Sequence, residues 1–147
     1  MKYIKEITAE ETYPVRHPVL RAGKPIESCR FDGDDLKSTK HFGIFIDGKL
    51  SGVVSLLEKV NPLFATNNQF QLRGMGVVEE QRRNGYGEDL VNHCEDYIRN
   101  KGGALIWFNA RIIAMPFYKK LGYESIGDAF DLADVGTHYV MSKTISP

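Results

Sequence analysis

The residues best suited to chemistry stand together in Gln81-Arg82-Arg83-Asn84-Gly85-Tyr86-Gly87. Two arginines supply fixed positive charge and forked N–H donors. Gly85 and Gly87 carry no Cβ, so the backbone can approach a ligand closely. Upstream, residues 69–78 are rich in apolar and strand-compatible side chains. Downstream, Leu90, Val91, Cys94, Tyr97 and Ile98 fall at i, i+1, i+4, i+7 and i+8, which makes one apolar helical face. A helix N-terminus offers unbonded N–H groups and the positive end of the dipole. Strand, basic Gly-x-Gly loop and helix together form a cradle for a diphosphate. A Gly-x-Gly pair alone is most often a turn, so the weight rests on the combination. No Gly-Lys-Ser/Thr follows, which excludes a Walker A loop. The third glycine and the later acid of the dinucleotide fingerprint are also missing.

A second set of residues follows in order. Residues 104–110, Ala-Leu-Ile-Trp-Phe-Asn-Ala, read as a buried strand. Ala114, Phe117-Tyr118 and Leu121-Gly122-Tyr123 come next. Residues 77–87 resemble the acyl-CoA-binding motif of the GNAT N-acetyltransferase superfamily, Arg/Gln-x-x-Gly-x-Gly/Ala, filled here by Arg82, Gly85 and Gly87. The second set resembles that family's later strand, its Ala-x-x-Phe-Tyr helix and its Leu-Gly-Phe/Tyr turn. The two motifs cover residues 69–123, and the remaining elements fit the rest of the chain. The resemblance implies an α/β fold, one GNAT domain over 1–147, with a mixed, mostly antiparallel central sheet and helices on both faces. It implies an acyltransferase that moves an acetyl group from acetyl-CoA, leaving CoA, to a primary amine of a small molecule. A rival of another class is an acyl-CoA-binding sensor or regulatory module without catalysis.

The same resemblance distributes roles. The pantetheine arm lies beside the strand ending at Val77-Val78, along with Met75. The N–H of Val77 meets the thioester oxygen as it gains charge. The diphosphate lies on the N–H groups of Arg83, Asn84, Gly85, Tyr86 and Gly87, with Arg82 beside them. Tyr118 is the general acid near the thioester sulfur; a phenol of pKa about 10 is protonated at neutral pH and can give its proton to a thiolate. Arg111 stands where many members carry an asparagine, and Asn109, two positions earlier, can take part of that contact with the cofactor. Gln71 stands where some members carry a carboxylate base, and an amide takes no proton usefully. Glu79 and Glu80 occupy the turn before the loop and read as solvated. His138, a water chain, or an amine arriving neutral all stand open as the base. Glu88 replaces a small hydroxyl residue and is expected to point to solvent.

The elements must then hold these residues in place. Residues 3–7 form a short strand, and 10–20 a helix broken by Pro14 and Pro18. Residues 21–40 are a loop of the length that is usually functional or mobile. Residues 41–46 and 50–57 pair as a hairpin through Asp47-Gly48. Residues 123–126 and 137–141 supply the last strands, and Pro116 places a helix start near Ala114 or Met115. On the strand from 69, alternation puts Gln71, Arg73, Met75 and Val77 on one side. Arg73, with Arg16 or Arg21 of the first helix, is then expected either to clamp an anionic group on the acceptor or to pair with Asp32, Asp34 or Asp35.

The 147 residues suit one domain with a real core, and the formal net charge is zero. That balance argues against nucleic acid as a partner. No apolar run approaches the roughly 18 residues of a membrane span. Residues 1–6 lack a signal-peptide core. Cys29 and Cys94 make no metal spacing, and Cys94 sits on the apolar helix face as a small core residue. The expected setting is a cytoplasmic monomer or homodimer with no metal.

Overall fold

The computed structural model describes residues 1–133 and 135–147. Seven strands are formed: β1 (Lys2–Ile7), β2 (Lys40–Ile46), β3 (Lys49–Glu58), β4 (Gln69–Val77), β5 (Ala104–Arg111), β6 (Glu124–Leu132) and β7 (Gly136–Ile145). They lie in the order β1-β2-β3-β4-β5-β7-β6. The pairs β1–β2, β2–β3, β5–β7 and β6–β7 are antiparallel, and β4–β5 is parallel. Three α-helices follow the expected positions: α1 (Tyr13–Leu20), α2 (Tyr86–Asn100) and α3 (Met115–Lys120). Backbone contacts fall into two compact units, Met1–Glu58 with Leu72–Tyr97, and Lys59–Gln71 with Ile98–Pro147.

In the first unit the β2–β3 hairpin turns through Asp47 and Gly48, with φ of 50° and 83°. Both central residues need positive φ for the twist of a two-residue hairpin, which Asp-Gly supplies. The sheet is covered on both faces. Val53 packs in a cluster with Ile7 and Val15, while a Cβ on the preceding Gly52 would meet Leu90 of α2 at 3.2 Å. Neighbouring strand residues point to opposite faces, so α1 and α2 lie on opposite sides of β3. Leu90, Val91, Cys94 and Ile98 are all buried, as the helical spacing requires. Pro14 sits in the first turn of α1, where its missing N–H costs nothing. Pro18 does not end the helix as expected. α1 runs two residues further to Leu20, preceded by a 3-10 turn over Glu10–Thr12.

In the second unit β4 pairs with β5 over Gln69↔Leu105, Phe70↔Ile106 and Gln71↔Trp107. β5 then pairs with β7 from Ala104↔Ile145 to Arg111↔His138. The last two strands are longer than their apolar cores suggest. β6 continues past Ile126 through a register shift before Phe130, a bulge that lets Gly127 and Asp128 stay in a strand.

Candidate active site

The loop from β4 to α2 has the local geometry that its sequence calls for. The N–H of Val78 bonds the carbonyl of Ser51 at 2.9 Å, and a 3-10 turn over Glu79–Gln81 follows. Arg83 and Gly85 then take φ of 68° and 80°. With Asn84 between these two left-handed residues and itself outside that region, the bend turns neighbouring backbone N–H groups toward a concavity of the kind that suits an anion. The first i→i−4 bond of α2 runs from the N–H of Asp89 to the carbonyl of Gly85, 3.0 Å. The N–H groups of Tyr86, Gly87 and Glu88 therefore have no acceptor within the helix. A Cβ on Gly85 would have no atom within 4 Å, so the space outside this bend is open. Arg82, Arg83 and Asn84 are exposed. Arg82 Nε donates to the carbonyl of Val77 at 3.0 Å, and the amide of Asn84 donates to the carbonyl of Gln81 at 3.1 Å, so the loop is braced by its own side chains. Glu88 is exposed, as expected, and so are Glu79 and Glu80.

Tyr118 stands on α3 with 9% of its surface exposed. Its ring lies 4.2 Å from that of Phe108, 5.0 Å from Phe117 and 6.1 Å from Tyr123. Burial pushes its phenol up to about 12. Burial in an apolar setting disfavours phenolate, so the hydroxyl keeps its proton at any physiological pH. Asn109 and Arg111, alternate residues of β5, are both exposed.

The residues expected at the acceptor fare differently. Arg16 is fully buried. Its guanidinium forks onto Asp34 at 2.6 and 3.2 Å and also bonds the carbonyl of Cys29 and Ser55 Oγ, each at 2.8 Å. This corrects the expectation of Arg16 as a substrate contact: it is an internal tie between α1 and the long loop. His41 completes the network, with Nδ1 2.6 Å from Ser55 Oγ and Nε2 3.0 Å from the carbonyl of Asp34. Since a carbonyl only accepts, Nε2 carries the proton. Burial alone would push the Asp34 carboxyl up. The hydrogen bonds from Arg16 and from the N–H of Phe31, with the Arg16 charge, outweigh that and hold it below the usual carboxylate range. Residues 21–40 are thus pinned by a buried ion pair.

Arg73 reaches the same place. It donates to the carbonyl of Asp32, and its Nη2 lies 3.7 Å from Asp34. The strict alternation expected along β4 fails one residue later. Gly74 has φ of 64°, and a Cβ there would meet Phe31 at 3.1 Å and Arg16 Nε at 3.4 Å. Arg73 and Gly74 therefore face the same way, and Gly76 faces Val19 of α1. Arg73 is on the α1 side, and the phase beyond it is shifted, so Met75 and Val77 do not share its face. Gln71 is 7% exposed, and its Oε1 has no hydrogen-bond partner. His138 is buried rather than at an open mouth; its Nδ1 is 2.8 Å from the carbonyl of Gly136, and its ring lies 6.0 Å from Phe130. Phe31 is the residue that sequence reading passed over. The signal available was one large apolar side chain in the polar run Arg30-Phe31-Asp32-Gly33-Asp34.

The Acetyltransferase (GNAT) family model matches residues 3–123, and the chain belongs to that family. It is accordingly an acyltransferase of the N-acetyltransferase type. It is 35% identical over 145 residues to the "Uncharacterized N-acetyltransferase YitI" of Bacillus subtilis, covering 99% of this chain and 97% of the relative. Its fold is similar to the ribosomal-protein-S18-alanine N-acetyltransferase of Escherichia coli, with a TM-score of 0.78, 17% identity, and 100% and 96% of the two chains covered. An aminoglycoside 6'-N-acetyltransferase complexed with coenzyme A matches with the same TM-score and identity, over 99% and 98% of the chains. These two neighbours are named for acceptors of unlike kinds, so the shared fold leaves the acceptor to the side chains. No helix among the described residues is long and apolar enough to cross a membrane, and they hold no cluster of three or more His, Cys, Asp or Glu residues that could bind a metal.

Proposed function

We propose that the chain moves an acetyl group from acetyl-CoA to a primary amine of a small molecule. The observation that carries this reading is the β4–α2 loop: left-handed Arg83 and Gly85, open space beside Gly85, and the free N-terminal N–H groups of α2. The N–H groups from Arg83 to Gly87 hold the diphosphate, with Arg82 and Arg83 adding charge. Met75, Val77 and Val78 line the pantetheine arm, and Asn109 and Arg111 add polar contacts to the cofactor. Acetyl-CoA supplies an activated acyl group as a thioester. The N–H of Val77 stabilises the charge that builds on the carbonyl oxygen when the amine nitrogen attacks. Tyr118, kept protonated by its burial, gives its proton to the departing sulfur. Gln71 Oε1, buried and unpartnered, accepts an N–H of the amine but takes no proton. The amine therefore arrives neutral or loses its proton to water. The setting proposed is a reducing cytoplasm, which suits two free buried cysteines, and one domain acting as a monomer or homodimer.

The test is acetyl-CoA with a panel of small primary amines, following free thiol and the acetylated amine by mass. Thiol release matched by acetylated product is the expected result. Tight CoA binding with no turnover across the panel would instead favour an acyl-CoA sensor.

A further inference from the structure

We propose that Arg21 and Arg73, stacked about Phe31, hold a carboxylate or phosphate group of the amine acceptor; the proposal rests on the N-acetyltransferase reading above. Three guanidinium groups surround one ring. The central carbons of Arg16, Arg21 and Arg73 lie 4.1, 5.2 and 5.5 Å from the Phe31 centroid. One buried carboxylate, Asp34, faces them, and it is already committed. Its oxygens take both arms of Arg16, and Oδ2 also accepts the N–H of Phe31 at 2.8 Å. Arg73 is left at 3.7 Å from it, beyond hydrogen-bond reach.

Arg21 is therefore left without an anion, and Arg73 has only a long share of a carboxylate that Arg16 already takes. The Arg21 side chain makes no hydrogen bond or ion pair among the described residues, and its Nε is buried without a partner. Arg73 spends one arm on the carbonyl of Asp32, its Nε is likewise unpartnered, and 21% of its side chain is exposed. Burial and the nearby Arg16 charge both weigh against the Arg73 cation unless something pairs it. A planar or tetrahedral oxyanion fits the two forks and removes that cost. The Phe31 ring attracts the guanidinium groups beside it, and side chains held in place lose less entropy on binding.

The position also sets the size of the ligand. Arg73 stands four residues before Val77 on β4, at most about 13 Å away at ~3.3 Å per residue, and the bend at Gly74 shortens that span. Clamp and reacting carbonyl are one small molecule apart. The acceptor is thus a compound with its amine at one end and its anion at the other.

Two measurements decide it. The first compares kcat/KM for ω-amino acids of increasing chain length against their amides, and for aminoalkyl phosphates against amino alcohols. The anionic member should win by about tenfold or more, the scale of one or two charge-assisted hydrogen bonds. Arg21→Gln should cut that ratio about tenfold, chiefly through KM, and Arg73→Lys should keep part of it. The second needs no turnover: thermal melting with inorganic phosphate at fixed ionic strength, with CoA present to fill the diphosphate loop. Phosphate should raise the Tm of the parent and not that of Arg21→Gln, whose side chain makes no hydrogen bond that folding needs. Preference for the neutral acceptors, or a phosphate shift unchanged in Arg21→Gln, overturns the clamp. If no acceptor is acetylated while phosphate still discriminates between parent and variant, the acetyl-transfer reading fails and the anion site stands.

Discussion

Tyr118 is set apart from an ordinary tyrosine by its neighbours. Packed against Phe108 and Phe117 and almost out of water, its hydroxyl is held at about 12. A protonated phenol beside a leaving thiolate contributes through general acid catalysis, typically about 10²–10⁴-fold. Tyr118→Phe keeps the ring and removes the proton. Its kcat should fall at least about tenfold, with little change in the KM for acetyl-CoA. An unchanged kcat under conditions where chemistry limits the rate would return Tyr118 to the core. Asp34 shows the opposite case, a buried acid kept charged. Asp34→Asn leaves the Arg16 guanidinium buried and uncompensated, which costs about 3–5 kcal/mol when one partner of a buried pair is removed. Urea unfolding measures this directly, and a loss below about 1 kcal/mol would mean that Arg16 finds water or another anion.

Among the elements, the β4–α2 loop and the bend in β4 carry the proposed site. Gly85 needs its φ of 80° and has open space on the side that a Cβ would occupy. Gly85→Val should therefore fold, at a cost of about 1–2 kcal/mol for a left-handed branched residue, yet lose CoA affinity because its methyls fill the diphosphate's place. Calorimetry that finds parent-like CoA binding in this variant would remove the cradle assignment. Gly74 is constrained differently. Its φ is 64°, and Phe31 and Arg16 crowd its Cα. Gly74→Ala should lose about 1–3 kcal/mol, from backbone strain together with displacement of Phe31. The phosphate shift in Tm should shrink in the same variant, since Phe31 is the platform for the Arg21 and Arg73 guanidinium groups.

For the whole molecule, these two buried groups each tie stability to pH, one on the acid side and one on the alkaline side. The Asp34 carboxyl lies below its unfolded value of about 3.9. Its contribution is complete above that pH and is lost as pH falls through the folded value. Tyr118 lies above its unfolded value of about 10, at about 12. The contribution of Tyr118 is intact below pH about 10 and is lost as pH rises from there toward about 12. A Tm-against-pH series on the parent and on Tyr118→Phe checks the alkaline side. The decline between pH about 10 and about 12 should be shallower in the variant, and parallel curves would mean that the phenol ionises as freely folded as unfolded.

The sequence determined every feature that depends on local pattern. The apolar spacing from Leu90 to Ile98 required a helix with one buried face, and Asp47-Gly48 required a hairpin turn. Gly85 ahead of that apolar run required a sharp bend at a helix start. Each follows from a few neighbouring residues and from backbone geometry, so no distant contact was needed to read it. What the tertiary structure decided was which charges are free. Arg16, Arg21 and Arg73 look alike in sequence, and three nearby aspartates could serve any of them. Only the fold commits Asp34 to Arg16, brings His41 and Ser55 from the hairpin to complete that pair, and leaves Arg21 and Arg73 around Phe31. It also placed the bend at Gly74 that breaks the alternation of β4, and it buried His138 between strands instead of exposing it. Pairing across such sequence distances depends on which side chains the packed sheet brings together. A strand's local pattern carries no record of that choice.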